Sequence, residues 1–111
     1  MEKNLGFTVT QVGNGALLLE PYDNLDPSSD GDMLEEISYY IKESDIHTLF
    51  YDMNKIYISD KLYYQWLCRL SKICKLFCVK LKLIHMKPTA AISISSFIKG
   101  PPDFDIAMSM S

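Results

Sequence analysis

The 111-residue sequence predicts an α/β domain built on a single mixed, mostly parallel β-sheet with helices mainly on one face. Three observations predict it. The spacing of apolar residues switches between every second and every third or fourth position, giving the order β-β-α-β-α-β-α-β. The later strand–helix–strand steps call for parallel strands joined by right-handed crossovers. Finally, residues 79–84 read VKLKLI, so Val79, Leu81 and Leu83 point one way and Lys80 and Lys82 the other. A sheet covered on both faces would want apolar residues at both lysines, so one face meets solvent.

Each element has its own signal. Phe7 and Val9 alternate with Thr8 and Thr10, and Ala16 to Glu20 form a second apolar run. Gly13-Asn14-Gly15 between them tolerates positive φ, so residues 7–20 read as a hairpin. Pro21 to Asp32 is polar, proline-containing loop. Met33, Leu34, Ile37, Tyr40 and Ile41 then mark a helix from about Asp30 to Glu43, with acids at its start and Lys42 near its end to suit the macrodipole. His47 to Met53 is a central strand. Ser59-Asp60 is an N-cap pair for a second helix from Lys61 to about Leu76, with Leu62, Trp66, Leu70, Ile73 and Phe77 as its main stripe and Tyr63, Leu67 and Cys74 beside it. After the VKLKLI strand, Pro88 opens a third helix over Thr89 to Phe97 or Ile98, although Ile92-Ser93-Ile94-Ser95 alternates like a strand. Gly100-Pro101-Pro102 stops it, and Phe104 and Ile106 add a short last strand.

Composition bounds the function. Hydrophobic residues make up 48% and charged residues 23%, which is globular and excludes a disordered chain. The net charge of −3 argues against bulk electrostatic binding of nucleic acid. Charge is nevertheless uneven: residues 1–50 hold two lysines against ten acids, whereas residues 51–111 hold nine bases against four acids. That asymmetry reads as two solvated faces, or as a dipolar particle that docks through complementary patches. Cys68, Cys74 and Cys78 are odd in number and crowded together, which predicts reduced thiols in a cytoplasmic protein. No secretory leader is visible, and the longest apolar run, Leu76 to Met86, is broken by Lys80, Lys82 and His85, so no membrane role is expected.

A search for chemistry finds little. The cysteines are spaced six and four apart rather than as a zinc motif, and His47 and His85 stand alone in sequence, so neither a metal nor a cofactor is expected. No GxSxG elbow and no glycine-rich phosphate loop after a strand is present. Asp52 and Asp60 bracket the loop after the central strand, at the strand ends where open parallel sheets bind ligands. They define the alternative function, a small ligand- or nucleotide-binding domain or enzyme. Ser59 reads as a simple cap, or as a phosphorylation site whose phosphate would face the free N–H groups of the helix start.

The stretch from Asp52 to Leu62 (DMNKIYISDKL) and the block from Val79 to Ala91 (VKLKLIHMKPTAA) resemble a STAS domain, and more narrowly the single-domain RsbS-type stressosome proteins related to anti-sigma-factor antagonists. The resemblance implies a SpoIIAA-like fold over residues 1–111, with the family's C-terminal helix lacking or cut short. It implies a non-enzymatic module in partner switching or stressosome assembly. In the family an Asp-Ser pair opens the helix after the central strand, and a partner kinase phosphorylates the serine. Asp60 matches the Asp, but Lys61 holds the serine position. Lysine cannot carry that phosphate, and its charge is opposite to the one the switch would add. The family also carries glycines before and after the next strand, where this chain has Cys78 and His85. The implied partners are a serine kinase/anti-sigma factor or sibling STAS proteins, with a homodimer or larger assembly among the options. The expected docking residues are Lys55, Tyr57, Ile58, Asp60, Lys61 and Tyr64, with Ser59 as the candidate phosphosite.

Overall fold

The computed structural model describes residues 6–23, 25–56, 60–97 and 104–106. A hairpin of β1 (Phe7–Val12) and β2 (Ala16–Pro21) opens the domain, followed by a turn of 3-10 helix at Pro27–Ser29 and α1 (Asp30–Ser44). Then come β3 (Thr48–Asp52), α2 (Lys61–Leu76), β4 (Lys80–Ile84), α3 (Pro88–Ser95) and the two-residue β5 (Asp105–Ile106). The strands lie in the order β1-β2-β3-β4-β5, with β1 antiparallel to β2 and every later pair parallel.

The hairpin turn depends on its glycines. Gly15 sits at φ +98°, and a Cβ there would lie 2.6 Å from the His47 ring. Its carbonyl also accepts the amides of His47 and Thr48, so this one residue ties the hairpin to the entry of β3.

Register decides which face is buried. Leu17 pairs with Leu49 and Leu49 with Leu81, while Leu19 pairs with Tyr51 and Tyr51 with Leu83. All six side chains are buried in one cluster with Met33, Ile37 and Ile41 of α1, Trp66, Leu67 and Leu70 of α2, and Ile94 of α3. The helices therefore share one face of the sheet, as the VKLKLI alternation predicts. Each of these large apolar side chains contributes on the order of 1.5–3 kcal/mol on burial. The opposite face is less open than the lysines suggest. Lys80 is exposed and Lys82 half-buried, yet Phe50 and Ile84 on that same face are buried. Phe50 lies in the central strand between Leu18 and Lys82, whose side chains flank it in register.

Helix 2 has the expected ends and a different buried stripe. Tyr63, Trp66, Leu67, Leu70, Ser71 and Cys74 face inward, while Leu62 is 48% and Phe77 39% exposed. The stripe is turned by about 70°, less than one residue step, toward the Tyr63–Leu67–Cys74 side. Two neighbours set that rotation, because α2 packs on the sheet and against α1 at once. In α3 the strand-like run folds as helix: Ala90 and Ile94, four apart, are buried, and Ile92 is 72% exposed. Pro88 takes the first turn as expected. The Gly100-Pro101-Pro102 stop lies outside the described residues.

Candidate functional site

The candidate site is the corner where β3 hands over to α2, at the C-terminal ends of the parallel strands. Asp52 closes β3, and its Oδ1 accepts the Asn54 amide at 2.9 Å, which turns the chain away from the sheet. The Met53 amide donates to the Ile84 carbonyl at 2.8 Å, and the Ile56 amide to the Met53 carbonyl at 3.0 Å. Met53 and Ile56 are buried, so this loop is pinned from beneath at two points. Asn54 and Lys55 between them are exposed, with the Lys55 ammonium 5.9 Å from the Tyr22 ring centre.

On the helix side, Asp60 is the N-cap. Its Oδ1 accepts the Tyr63 amide at 2.8 Å and its carbonyl accepts the Tyr64 amide at 3.0 Å. Lys61 is the first helical residue and is exposed, and no acidic residue sits in the first turn. A cation thus stands at the positive end of the helix dipole, a placement that costs about 0.3–1 kcal/mol. Tyr64 does not stand free. It is half-buried, its ring 6.1 Å from Phe97 in a stacked arrangement and 6.4 Å from Phe104 edge-on. Tyr57, Ile58 and Ser59 lie outside the described residues. Of the expected docking set, Lys55, Asp60 and Lys61 are therefore exposed at the corner, and Tyr64 is partly spent on packing.

Two features were missed by sequence reasoning. The first is a buried polar triad under the corner: the Tyr51 and Tyr63 hydroxyls are 2.6 Å apart, and Trp66 Nε1 donates to the Tyr51 hydroxyl at 3.0 Å. Burial pushes the Tyr51 phenol well above its ordinary value and that of Tyr63 up to about 12. Tyr51 lay in the expected central strand and Trp66 on the expected helix stripe; their need for polar partners once buried was the unused signal. The second is His85, whose Nδ1 lies 3.0 Å from Asp52 Oδ1. Both residues sit at the ends of adjacent strands, and Asp52 pairs in register with Ile84, so the topology brings them together.

Cys78 (φ +58°) and His85 (φ +56°) flank β4 in the left-handed region. These are the two positions where the family resemblance expects glycine. The three cysteines are all free thiols. Among the described residues no group of three or more His, Cys, Asp or Glu side chains could hold a metal, and no helix is long and apolar enough to cross a membrane. Asp52 and Asp60 are both engaged, one with the Asn54 amide and His85, the other in capping.

No family model matches the chain, and no curated protein matches it in sequence. Solved structures do match it in fold. A serine-to-glutamate variant of RsbS from Moorella thermoacetica superposes with a TM-score of 0.75 at 18% identity, covering 94% of this chain and 87% of that one. A chain from the molecular architecture of the stressosome, a signal integration and transduction hub, gives 0.80 at 17% identity, with 93% and 89% covered. The anti-sigma factor antagonist SpoIIAA in its unphosphorylated form gives 0.70 at 13% identity, with 95% and 89% covered. The chain has the STAS, SpoIIAA-like fold.

Proposed function

We propose that this STAS-fold chain is a non-enzymatic interaction module. It regulates a stress response or sigma factor by partner switching or by assembly with proteins of its own fold. The observation that carries this reading is the β3–α2 corner: a loop pinned from below, ending in an aspartate-capped helix whose first residue projects an exposed charge. Neighbours of the same fold include a stressosome component and an anti-sigma factor antagonist, one of them also known in a phosphorylated form. That both aspartates of the corner are engaged weighs against their use as an acid–base pair or ligand cage.

At the family's phosphoserine position this chain carries Lys61, so the corner is held in one charge state, with Lys55 and Lys61 presenting positive charge to a partner. The partners are a serine kinase/anti-sigma factor or sibling STAS proteins. By sequence position Tyr57 and Ile58 are the apolar anchors assigned to this contact, and Ser59 is the serine there that a kinase would use. Affinity in such a contact concentrates in a few desolvated side chains.

Binding of the purified chain to a switch kinase and to STAS proteins from the same genome, followed by interferometry, tests the reading. Submicromolar to micromolar binding that weakens about tenfold in Lys61→Glu, with a melting temperature no lower than that of the wild type, is the expected result. Folded protein that binds none of them at tens of micromolar would overturn it. Mass spectrometry after kinase treatment then asks whether Ser59 takes a phosphate.

A further inference from the structure

The strand ends also hold a recess that a docking role leaves unused. It has a volume of about 470 Å³ and is lined by residues that follow β3 and β4, by α3 and by β5. Open parallel sheets bind ligands outside the carboxyl ends of their strands, and small-molecule sites occupy roughly 300–1,000 Å³.

The lining divides into an apolar wall and a polar rim. Met86, Ala91, Ile94 and Ile106 form the wall, and Ile106 is 51% exposed although it is a large apolar side chain. Asn54, His85 and Lys87 form the rim, and none of the described lining residues is acidic. Lys87 is half-buried and is the N-cap of α3, whose first turn carries no acid. A lysine and the positive end of a helix dipole thus border the same recess. One carboxylate oxygen places two members of the rim. Asp52 Oδ1 accepts the Asn54 amide at 2.9 Å and lies 3.0 Å from His85 Nδ1. With Nδ1 held by Asp52, Nε2 is the ring nitrogen left to His85. That ring is carried on backbone at φ +56°, where glycine would be unstrained and would leave the recess without an imidazole.

The geometry points to a binding site for a small monocarboxylic acid with an apolar body of about ten heavy atoms. The carboxyl group takes Lys87 and His85, and the body covers Met86, Ala91, Ile94 and Ile106. A neutral imidazole accepts the acid's own proton in a hydrogen bond, and a protonated one donates to the carboxylate. Either form of the ring therefore holds the same head group. A cationic ligand would meet Lys87 and the helix start, and a neutral one would forgo the ion pair. An inorganic anion would leave the apolar wall in water, so charge and apolar surface together select the acid. Asp52 joins the recess to the β3–α2 corner, but the binding does not depend on the function proposed above.

Titration of the isotope-labelled full chain with phenylpropionate at about pH 6, where imidazoles take up a second proton, tests this by nuclear magnetic resonance. Phenylpropylamine, phenylpropanol and inorganic phosphate are the comparison probes. Phenylpropionate is expected to bind with a Kd on the order of 1 mM or tighter and to shift the amides of Asn54, His85, Met86 and Ile106. Each comparison probe should bind at least about tenfold more weakly. Lys87→Gln should weaken the acid by about tenfold. Ala91→Phe, at an exposed position of α3, should fill the recess and abolish binding, and melting checks that both variants fold. No saturable shift with phenylpropionate, shifts centred away from the recess, a comparison probe that binds as tightly as the acid, or folded variants that bind it like the wild type would overturn the inference.

Discussion

Cys78 and His85 hold left-handed backbone at φ +58° and +56°, a region that costs a side-chain-bearing residue roughly 1–2 kcal/mol and glycine nothing. Cys78→Gly is therefore expected to raise stability by about 1 kcal/mol, read as a melting temperature several degrees higher. His85→Gly should gain less, because it gives up the contact with Asp52. Beneath the corner, Tyr51→Phe leaves both the Tyr63 hydroxyl and the Trp66 N–H without their partner and should cost about 2–4 kcal/mol of unfolding free energy, read as a lower denaturant midpoint. Tyr63→Phe should cost less, since Tyr51 still accepts from Trp66. The buried phenols also set an alkaline limit. Tyr51 is raised well above 10 and Tyr63 to about 12, and burial raises the Cys74 thiol to about 12. The unfolded chain loses these protons first, so stability is full below about pH 9 and falls as pH climbs toward 12. Urea midpoints measured from pH 8 to 11 should decline, and less steeply in Tyr63→Phe.

At the scale of the element, α2 carries both the packing and the proposed contact. Asp60→Ala removes the cap on the Tyr63 amide and should cost about 1 kcal/mol. Lys61→Glu should do the reverse, adding a few tenths of a kcal/mol by relieving the cation at the helix start. If Lys61→Glu both stabilises the fold and weakens partner binding, the lysine is retained against stability, which is the mark of a contact residue. The two ends of α2 were legible because a cap and a charge bias are local signals. Its buried stripe was not, because periodicity defines an apolar arc and only the neighbours decide which part of that arc is covered. Leu62 and Phe77 fit the period and ended up exposed, while Ser71, polar by type, is buried.

The whole molecule hangs on one layer of contacts between a sheet face and three helices. Trp66, the single tryptophan, is fully buried in it and bonded to Tyr51 of the central strand. Its fluorescence therefore reports the strand–helix contact, and it should be lost in the same denaturant transition as the helical circular dichroism signal, as two-state unfolding requires. Separate transitions would mean that the hairpin or α3 melts apart from the core. At this scale the order of elements, the parallel sheet and the single helical face were all readable from hydrophobic period and from the two lysines of β4. Asp52 and His85, 33 residues apart, were each visible as strand-end polar residues, but no local pattern links them. Lys61 was identified through resemblance alone, and its exposure is a fact of the fold. Local chemistry, meaning period, capping and turn glycines, thus determined which elements form and in what order, because each depends on a few consecutive residues. Which residues touch was decided only by the tertiary structure. The register of parallel strands and the rotation of a helix are set by contacts between segments far apart in the chain, and those contacts made the Tyr51–Tyr63–Trp66 triad and the Asp52–His85 pair.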